Sequence, residues 1–273
     1  MKRDFSRFLI AGIVFLLTVP IFYQKMIIAS APKDVLFVSE LDGSEQRYIE
    51  ILPDDFSNEN SYHLLIGLHG HGADRWQYIN AKRGETDAAL DVAKEQKMIF
   101  ISPDYRAATS WMGPAAEADL LQIIKELKQK YQIDKIFLTG GSMGGTSVLT
   151  FAALHPELID GVASQNGLAN HFEYEMFQDA IAESFGGTKA EIPEEYKKRS
   201  SEYFPEKLTM PLGITLGGRD TIVPPDSVLR LVKTLQKMNR KVLLIYRPEG
   251  GHETDYNDTK ASIEFVMGLE NKE

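Results

Sequence analysis

The chain has 273 residues, 43% of them apolar and 25% charged, with 21 Gly and 12 Pro. That is enough for one α/β domain with a large core, and it excludes a disordered or collagen-like chain. Cys is absent and the formal net charge is -9, which removes disulfides, thiolate metal sites, a Cys nucleophile and a lipid-modified N-terminal Cys.

In chain order, Lys2, Arg3 and Arg7 precede an uncharged apolar run over residues 8–23, which Gln24 and Lys25 interrupt before Ala29-Ser30-Ala31. The run is short for a membrane span of about 20 residues and reads as an export signal. A cut after Ala31 would put Pro32 first in the mature chain, so an uncleaved membrane anchor through residues 8–23 is the second reading. Either way the basic flank places residues 32–273 outside the cytoplasm, periplasmic or extracellular. Residues 1–31 hold four basic side chains and one acidic, which leaves 26 Lys and Arg against 38 Asp and Glu, net -12. Such a domain repels phosphate backbones, and nucleic acid is not an expected partner.

Eight short β-branched or apolar runs follow: Val35–Val38, Gln46–Leu52, His63–Leu68, Met98–Ser102, Lys135–Thr139, Gly161–Ser164, Leu212–Leu216 and Lys241–Tyr246. Each predicts a strand. Helical spacing lies between the later ones, as in Leu120, Ile123, Ile124 and Leu127 and again in Val228, Leu231, Val232 and Leu235. Alternation of this kind predicts a mostly parallel sheet of about eight strands with helices on both faces, and ligands at the carboxyl ends of the strands. Residues 168–207 break the alternation. Their aromatics, Phe172, Tyr174, Phe177, Phe185, Tyr196, Tyr203 and Phe204, lie in no strand pattern, which predicts a small helical excursion that either lines a substrate pocket or packs its own core.

After the strand ending at Thr139 comes Gly140-Gly141-Ser142-Met143-Gly144-Gly145, then an apolar helix. This fits G-x-S-x-G, in which a strand reverses sharply into a helix and the serine hydroxyl projects over the sheet edge. A serine hydroxyl becomes a nucleophile only when a base takes its proton, and that base needs a carboxylate to orient it. Of the six histidines, His252 alone follows the last strand, in Pro248-Glu249-Gly250-Gly251-His252. Asp220, in Gly217-Gly218-Arg219-Asp220, directly follows the Leu212–Leu216 strand. Asp226 and Glu249 are the alternative acids, one placed to cap the helix after Pro225 and the other next to the histidine in its own loop. The tetrahedral intermediate requires two backbone N–H donors. Met143, after the serine, supplies one; the loop Leu68-His69-Gly70-His71-Gly72-Ala73-Asp74 supplies the other, from His71 or, as second choice, Gly72. A rival reading makes His69 and His71 metal ligands, but no further ligands are evident. Trp111 and Met112, in the loop beyond the fourth strand, are expected near the substrate pocket unless they are core.

The order of elements, the His-Gly-x-Gly loop, the Ser142 elbow, the Gly-Gly-Arg-Asp220 turn with Val223-Pro224 after it and the Gly-Gly-His252 loop together resemble the α/β-hydrolases over about residues 35–269. The likeness is to the esterase branches of feruloyl and acetylxylan esterases, polyhydroxybutyrate depolymerases and the phospholipase/carboxylesterase group, and more distantly to the prolyl oligopeptidase catalytic domain. The resemblance implies Ser142 as nucleophile, His252 as base, Asp220 as orienting acid, and Met143 with His71 as oxyanion donors, with no cofactor. A large N-terminal propeller, usual in prolyl oligopeptidase-type peptidases, has no room here and is not expected. The expected function is a serine hydrolase acting on small-molecule or polysaccharide-linked carboxylic esters. Its alternatives are a small serine exopeptidase and a non-catalytic binding protein on the same scaffold.

Overall fold

The computed structural model describes residues 31–269. The export segment expected over residues 8–23 lies outside them, and among the described residues no helix is long and apolar enough to cross a membrane. Eight strands form one sheet: β1 (Lys33–Val38), β2 (Glu45–Ile51), β3 (Ser61–Leu68), β4 (Ile99–Pro103), β5 (Gln132–Gly141), β6 (Gly161–Gln165), β7 (Leu212–Gly217) and β8 (Val242–Arg247). Their order is β1-β2-β4-β3-β5-β6-β7-β8. β1 pairs with β2, and β2 with β4, in antiparallel fashion, while every pair from β4 to β8 is parallel. This is the α/β-hydrolase architecture.

The burial of each strand follows from its neighbours. β4, β6 and β7 are buried along their whole length, as continuous apolar or small-residue strands must be when helices cover both faces. β1 and β2, at the antiparallel edge, are partly exposed. The helices are α1 (Gln77–Asn80), α2 (Gly84–Glu95), α3 (Pro114–Lys130), α4 (Met143–Leu154), α5 (Gln178–Phe185), α6 (Pro193–Lys198), α7 (Asp226–Lys237) and α8 (Tyr256–Met267). α3 starts with Pro114 at its first position and carries Lys128 and Lys130 in its last turn, the end signals that suit orphan donors and the helix dipole.

Two apolar clusters divide the sheet's faces. Leu64, Ile66, Ile101, Leu138 and Ile214 join α3, α4, α7 and the 168–207 excursion in one; Leu65, Phe100, Phe137 and Ala163 join α2 and α8 in the other. The excursion contains no strand; it is built from α5, α6 and two short 3-10 turns. β3 has β4 on one side and β5 on the other, so the chain's winding reverses there, and the loops after β3 and β5 open onto a common crevice.

Candidate active site

Ser142 occupies the reversal between β5 and α4 with φ 59° and ψ -122°, a backbone region that costs a non-glycine residue about 1–3 kcal/mol. Close packing enforces it. A Cβ on Gly140 would lie 2.5 Å from the carbonyl carbon of Gly144, and one on Gly144 would overlap the carbonyl oxygen of Leu68. The serine N–H donates to the Gln165 carbonyl on β6 at 2.8 Å, and its carbonyl accepts from Thr146 N–H at 2.9 Å.

His252 is brought to it from a position 110 residues further along the chain. Nε2 lies 2.8 Å from Ser142 Oγ, and Nδ1 lies 2.6 Å from Asp220 Oδ2. The other carboxylate oxygen of Asp220 accepts from the backbone N–H groups of Ile222 at 2.9 Å and Val223 at 2.8 Å. The carboxylate is thus held by its own turn with its side chain 1% exposed, and the imidazole is 18% exposed. The acid turn and the histidine loop lean on each other: Gly218 N–H donates to the Arg247 carbonyl and Arg219 N–H to the Gly250 carbonyl, each at 2.8 Å. A side chain on Gly217 would collide with Gly250 and Gly251. The two alternative acids are elsewhere: Glu249 pairs with Arg219, and Asp226 is the first residue of α7 rather than its cap.

The loop after β3 separates its two candidate donors. Gly72 N–H is committed to the Ala108 carbonyl at 2.7 Å, whereas His71 N–H has no acceptor among the described residues. Met143 N–H stands at the start of α4, where helical N–H groups have no intrahelical partner. The His71 ring packs at a tilt of 41° against Phe177 with centroids 4.4 Å apart, and burial lowers its pKa. His69 is fully buried, and its Nδ1 and Nε2 lie 2.9 and 3.1 Å from the carbonyl oxygens of Gly70 and Asp104. Burial lowers the His69 pKa first of all, and a neutral imidazole donates to only one of these two carbonyls.

Trp111 departs from its expected role. It is completely buried, with its ring 5.9 Å from His71, 5.7 Å from Tyr174 and 5.6 Å from Phe177. A side chain with no accessible surface packs the excursion onto the loop after β3 and offers a substrate nothing to touch. Met112 is equally buried.

One residue at this site escapes sequence reasoning. Asn166, at φ 45°, uses its side chain to accept from Gly217 N–H at 3.0 Å and to donate to the Glu253 carbonyl at 2.7 Å. It ties the end of β7 to the loop that carries His252. Its signal is faint: Asn before Gly marks a turn that tolerates positive φ, but says nothing of a bridge. Ser142, His252, Asn166 and Arg83 line a cleft of about 330 Å³, and Arg83 also borders a shallower groove of about 680 Å³ that contains His71 and Trp76.

The prolyl oligopeptidase family profile matches residues 105–266, more than half of the chain. The chain belongs to the prolyl oligopeptidase family. This is the group expected from the motifs as the more distant neighbour. The curated relatives carry the esterase name: the "Probable feruloyl esterase C" of Aspergillus clavatus is 30% identical over 134 residues, 48% of each chain. Feruloyl esterase C of Emericella nidulans is 26% identical over 112 residues, 40% of each. The matched segment thus spans about half the length of these relatives. Among solved structures, the fluorophosphonate-binding serine hydrolase F of Staphylococcus aureus superposes with a TM-score of 0.70 at 18% identity, over 89% of this chain and all of that one. Acylaminoacyl peptidase of Pyrococcus horikoshii gives 0.67 at 16%, over 89% of this chain and 41% of that one. At these identities the likeness to both structures is one of fold.

Proposed function

We propose that this protein is a serine hydrolase that cleaves carboxylic esters through an acyl-enzyme intermediate, with Ser142 as nucleophile, His252 as general base and Asp220 as its orienting acid. The observation that carries this reading is the continuous hydrogen-bonded line from Asp220 through His252 to a serine held at φ 59°. In the first half-reaction His252 Nε2 takes the hydroxyl proton as Oγ bonds to the substrate carbonyl carbon, and the carbonyl oxygen gains negative charge facing the N–H groups of Met143 and His71. Collapse of that intermediate breaks the ester bond, and the same imidazole returns its proton to the departing alcohol. Water then enters, loses a proton to His252 and attacks the acyl carbon, which releases the acid and restores Ser142. Throughout, Asp220 stabilises the imidazolium and keeps its tautomer.

Fluorophosphonate labelling tests the reading: Ser142 in the folded protein should be modified, and Ser142→Ala should not. Folded protein that fails to react would favour a binding role for the scaffold. The family match supports a second substrate class, amides, for which the same His252 protonates the leaving amine. Matched ester and peptide substrates decide between them, and faster peptide cleavage would select the peptidase. The names of the curated relatives direct the ester panel toward feruloyl esters, alongside acetyl sugar esters and simple esters of graded acyl length. For the chain as a whole we infer an export signal or anchor in residues 1–31 and a catalytic domain over 32–273, with 168–207 as a cap-like excursion. N-terminal sequencing of the exported protein reports whether the segment is removed.

A further inference from the structure

Glu85, the second residue of α2, is 3% exposed although charged. A carboxylate in the first turn of a helix is favoured by the helix dipole, but that preference requires neither burial nor the partners found here. One oxygen, Oε1, accepts from Arg83 Nε at 2.8 Å and from Gln77 Nε2 at 3.4 Å. Gln77 in turn uses Oε1 to accept the N–H of Gly70 at 2.8 Å, one residue before His71. The other carboxylate oxygen accepts from the hydroxyl of Thr254, 169 positions away and two residues beyond His252. The same carboxylate faces the elbow, since a Cβ on Gly141 would stand 3.6 Å from Glu85 Oε1. α2 presses against the histidine loop as well: a Cβ on Gly84 would lie 2.7 Å from the Thr254 carbonyl oxygen.

The need for such a link follows from the sheet. The oxyanion loop leaves β3 and the histidine loop leaves β8, four sheet positions apart, so their roots are about 19 Å from each other at the usual strand spacing. Both must act on one carbonyl group, and a misplacement of about 1 Å costs about 100-fold in rate. We propose that Glu85 is a positioning residue for the reaction at Ser142: its carboxylate joins the oxyanion loop, through Gln77, to the loop bearing His252, through Thr254, and holds both against the elbow. This rests on the serine hydrolase reading above. Glu85 touches neither Ser142 nor His252, and its effect is on where they and the N–H donors stand.

Steady-state kinetics of the full chain on a short p-nitrophenyl ester test it. Glu85→Ala should lower kcat about 100-fold with KM changed less than about threefold. Thr254→Val, which keeps shape and removes the hydroxyl, should lower kcat about tenfold, and the double variant should be no worse than Glu85→Ala alone, because both cut one connection. A folded Glu85→Ala or Thr254→Val enzyme within twofold of wild-type kcat, or effects that multiply in the double variant, would overturn the proposal. If Glu85→Ala does not fold, Thr254→Val and Gln77→Leu decide it in the same way, by a shared loss of kcat or by independent effects. Wild-type turnover and fluorophosphonate labelling report separately on the hydrolase reading. Were both absent, thermal unfolding of Thr254→Val, Gln77→Leu and their double variant would still show whether the loops are joined, non-additive shifts in Tm supporting the link and additive ones refuting it.

Discussion

The rim of the sheet around Ser142 and the excursion over residues 168–207 are held in place by different physics. At the rim, position comes from backbone: glycines that let strand, helix and loops approach within contact distance, a strained serine, and carboxylate and amide side chains that satisfy loop N–H groups. In the excursion, position comes from packing around a single buried charge. Arg199 is 1% exposed and donates to the Met112 carbonyl, Glu117 and Glu195, each at 2.7 Å. Around it run the rings of Trp111, His171, Phe185 and Tyr196, with centroids 4.9–6.2 Å apart in sequence. The two regions meet where the Tyr174 hydroxyl donates to the Ile222 carbonyl at 2.8 Å, in the turn that carries Asp220. A region fixed by backbone geometry tolerates little change of chemistry, whereas one fixed by packing is expected to lose stability before function.

Substitutions at the rim should therefore spare stability and abolish rate. Ser142→Ala is expected to lower turnover of a p-nitrophenyl ester by about four to six orders of magnitude with Tm unchanged within a few degrees. Asp220→Asn preserves the size of the side chain but lets the imidazole adopt the wrong tautomer, and kcat should fall by about 10⁴; a loss below tenfold would show that Asp220 only supports its turn. The excursion should respond in the opposite sense. Arg199→Ala leaves Glu117 with His155 as its remaining partner and strips the Met112 carbonyl of its donor in the interior, so it should cost about 3 kcal/mol in urea unfolding, while kcat of the protein that remains folded falls far less than in Asp220→Asn.

The finest distinction comes from acid. Burial alone would raise the pKa of Glu117, but the hydrogen bond with His155 and the charge of Arg199 outweigh it and hold the carboxyl at about 2. Burial, helped by Arg199, pushes His171 down to about 3, and neither of its ring nitrogens has a hydrogen-bond partner among the described residues. Both groups are depressed below their unfolded values, so both contribute stability at neutral pH that is lost on acidification. The His171 contribution fades as pH falls from about 6.5 toward 3, and that of Glu117 from about 4.5 toward 2. By pH 5 the histidine alone should have cost about 2 kcal/mol. His171→Leu, of similar volume, should flatten the stability profile between pH 7 and 5, as measured by unfolding at each pH, and an unchanged slope would remove His171 from the account.

Much of this molecule can be read from its residues in order. The eight strands are legible because a strand covered on both faces is built mostly from apolar and small residues, as Leu212–Gly217 is, whereas the antiparallel pairing of β1 and β2 emerges only in the structure. Ser142 stands out because few sequences place glycines where a strand and helix cross at contact distance. α2 leaves no such mark; its buried face is spread through Ala88, Ala89, Val92 and Ala93 among charged residues. The aromatics of the excursion show no period at all, and the choice between pocket wall and packed core is made by Trp111 and its neighbours closing on one another.

Local order along the chain was thus sufficient for the alternation of strand and helix, the elbow and the candidate nucleophile, since each depends on residues within a few positions of one another. Which N–H group of the loop after β3 stays free, what Asn166 and Glu85 bridge, and where Arg199 sends its charge turn on contacts such as Gly72 with Ala108, Asn166 with Gly217 and Glu253, Arg199 with Glu117, and Glu85 with Thr254, which are 36 to 169 positions apart. Hydrogen bonds and ion pairs of that span have no linear signature: their partners are chosen by which strand ends the sheet sets side by side.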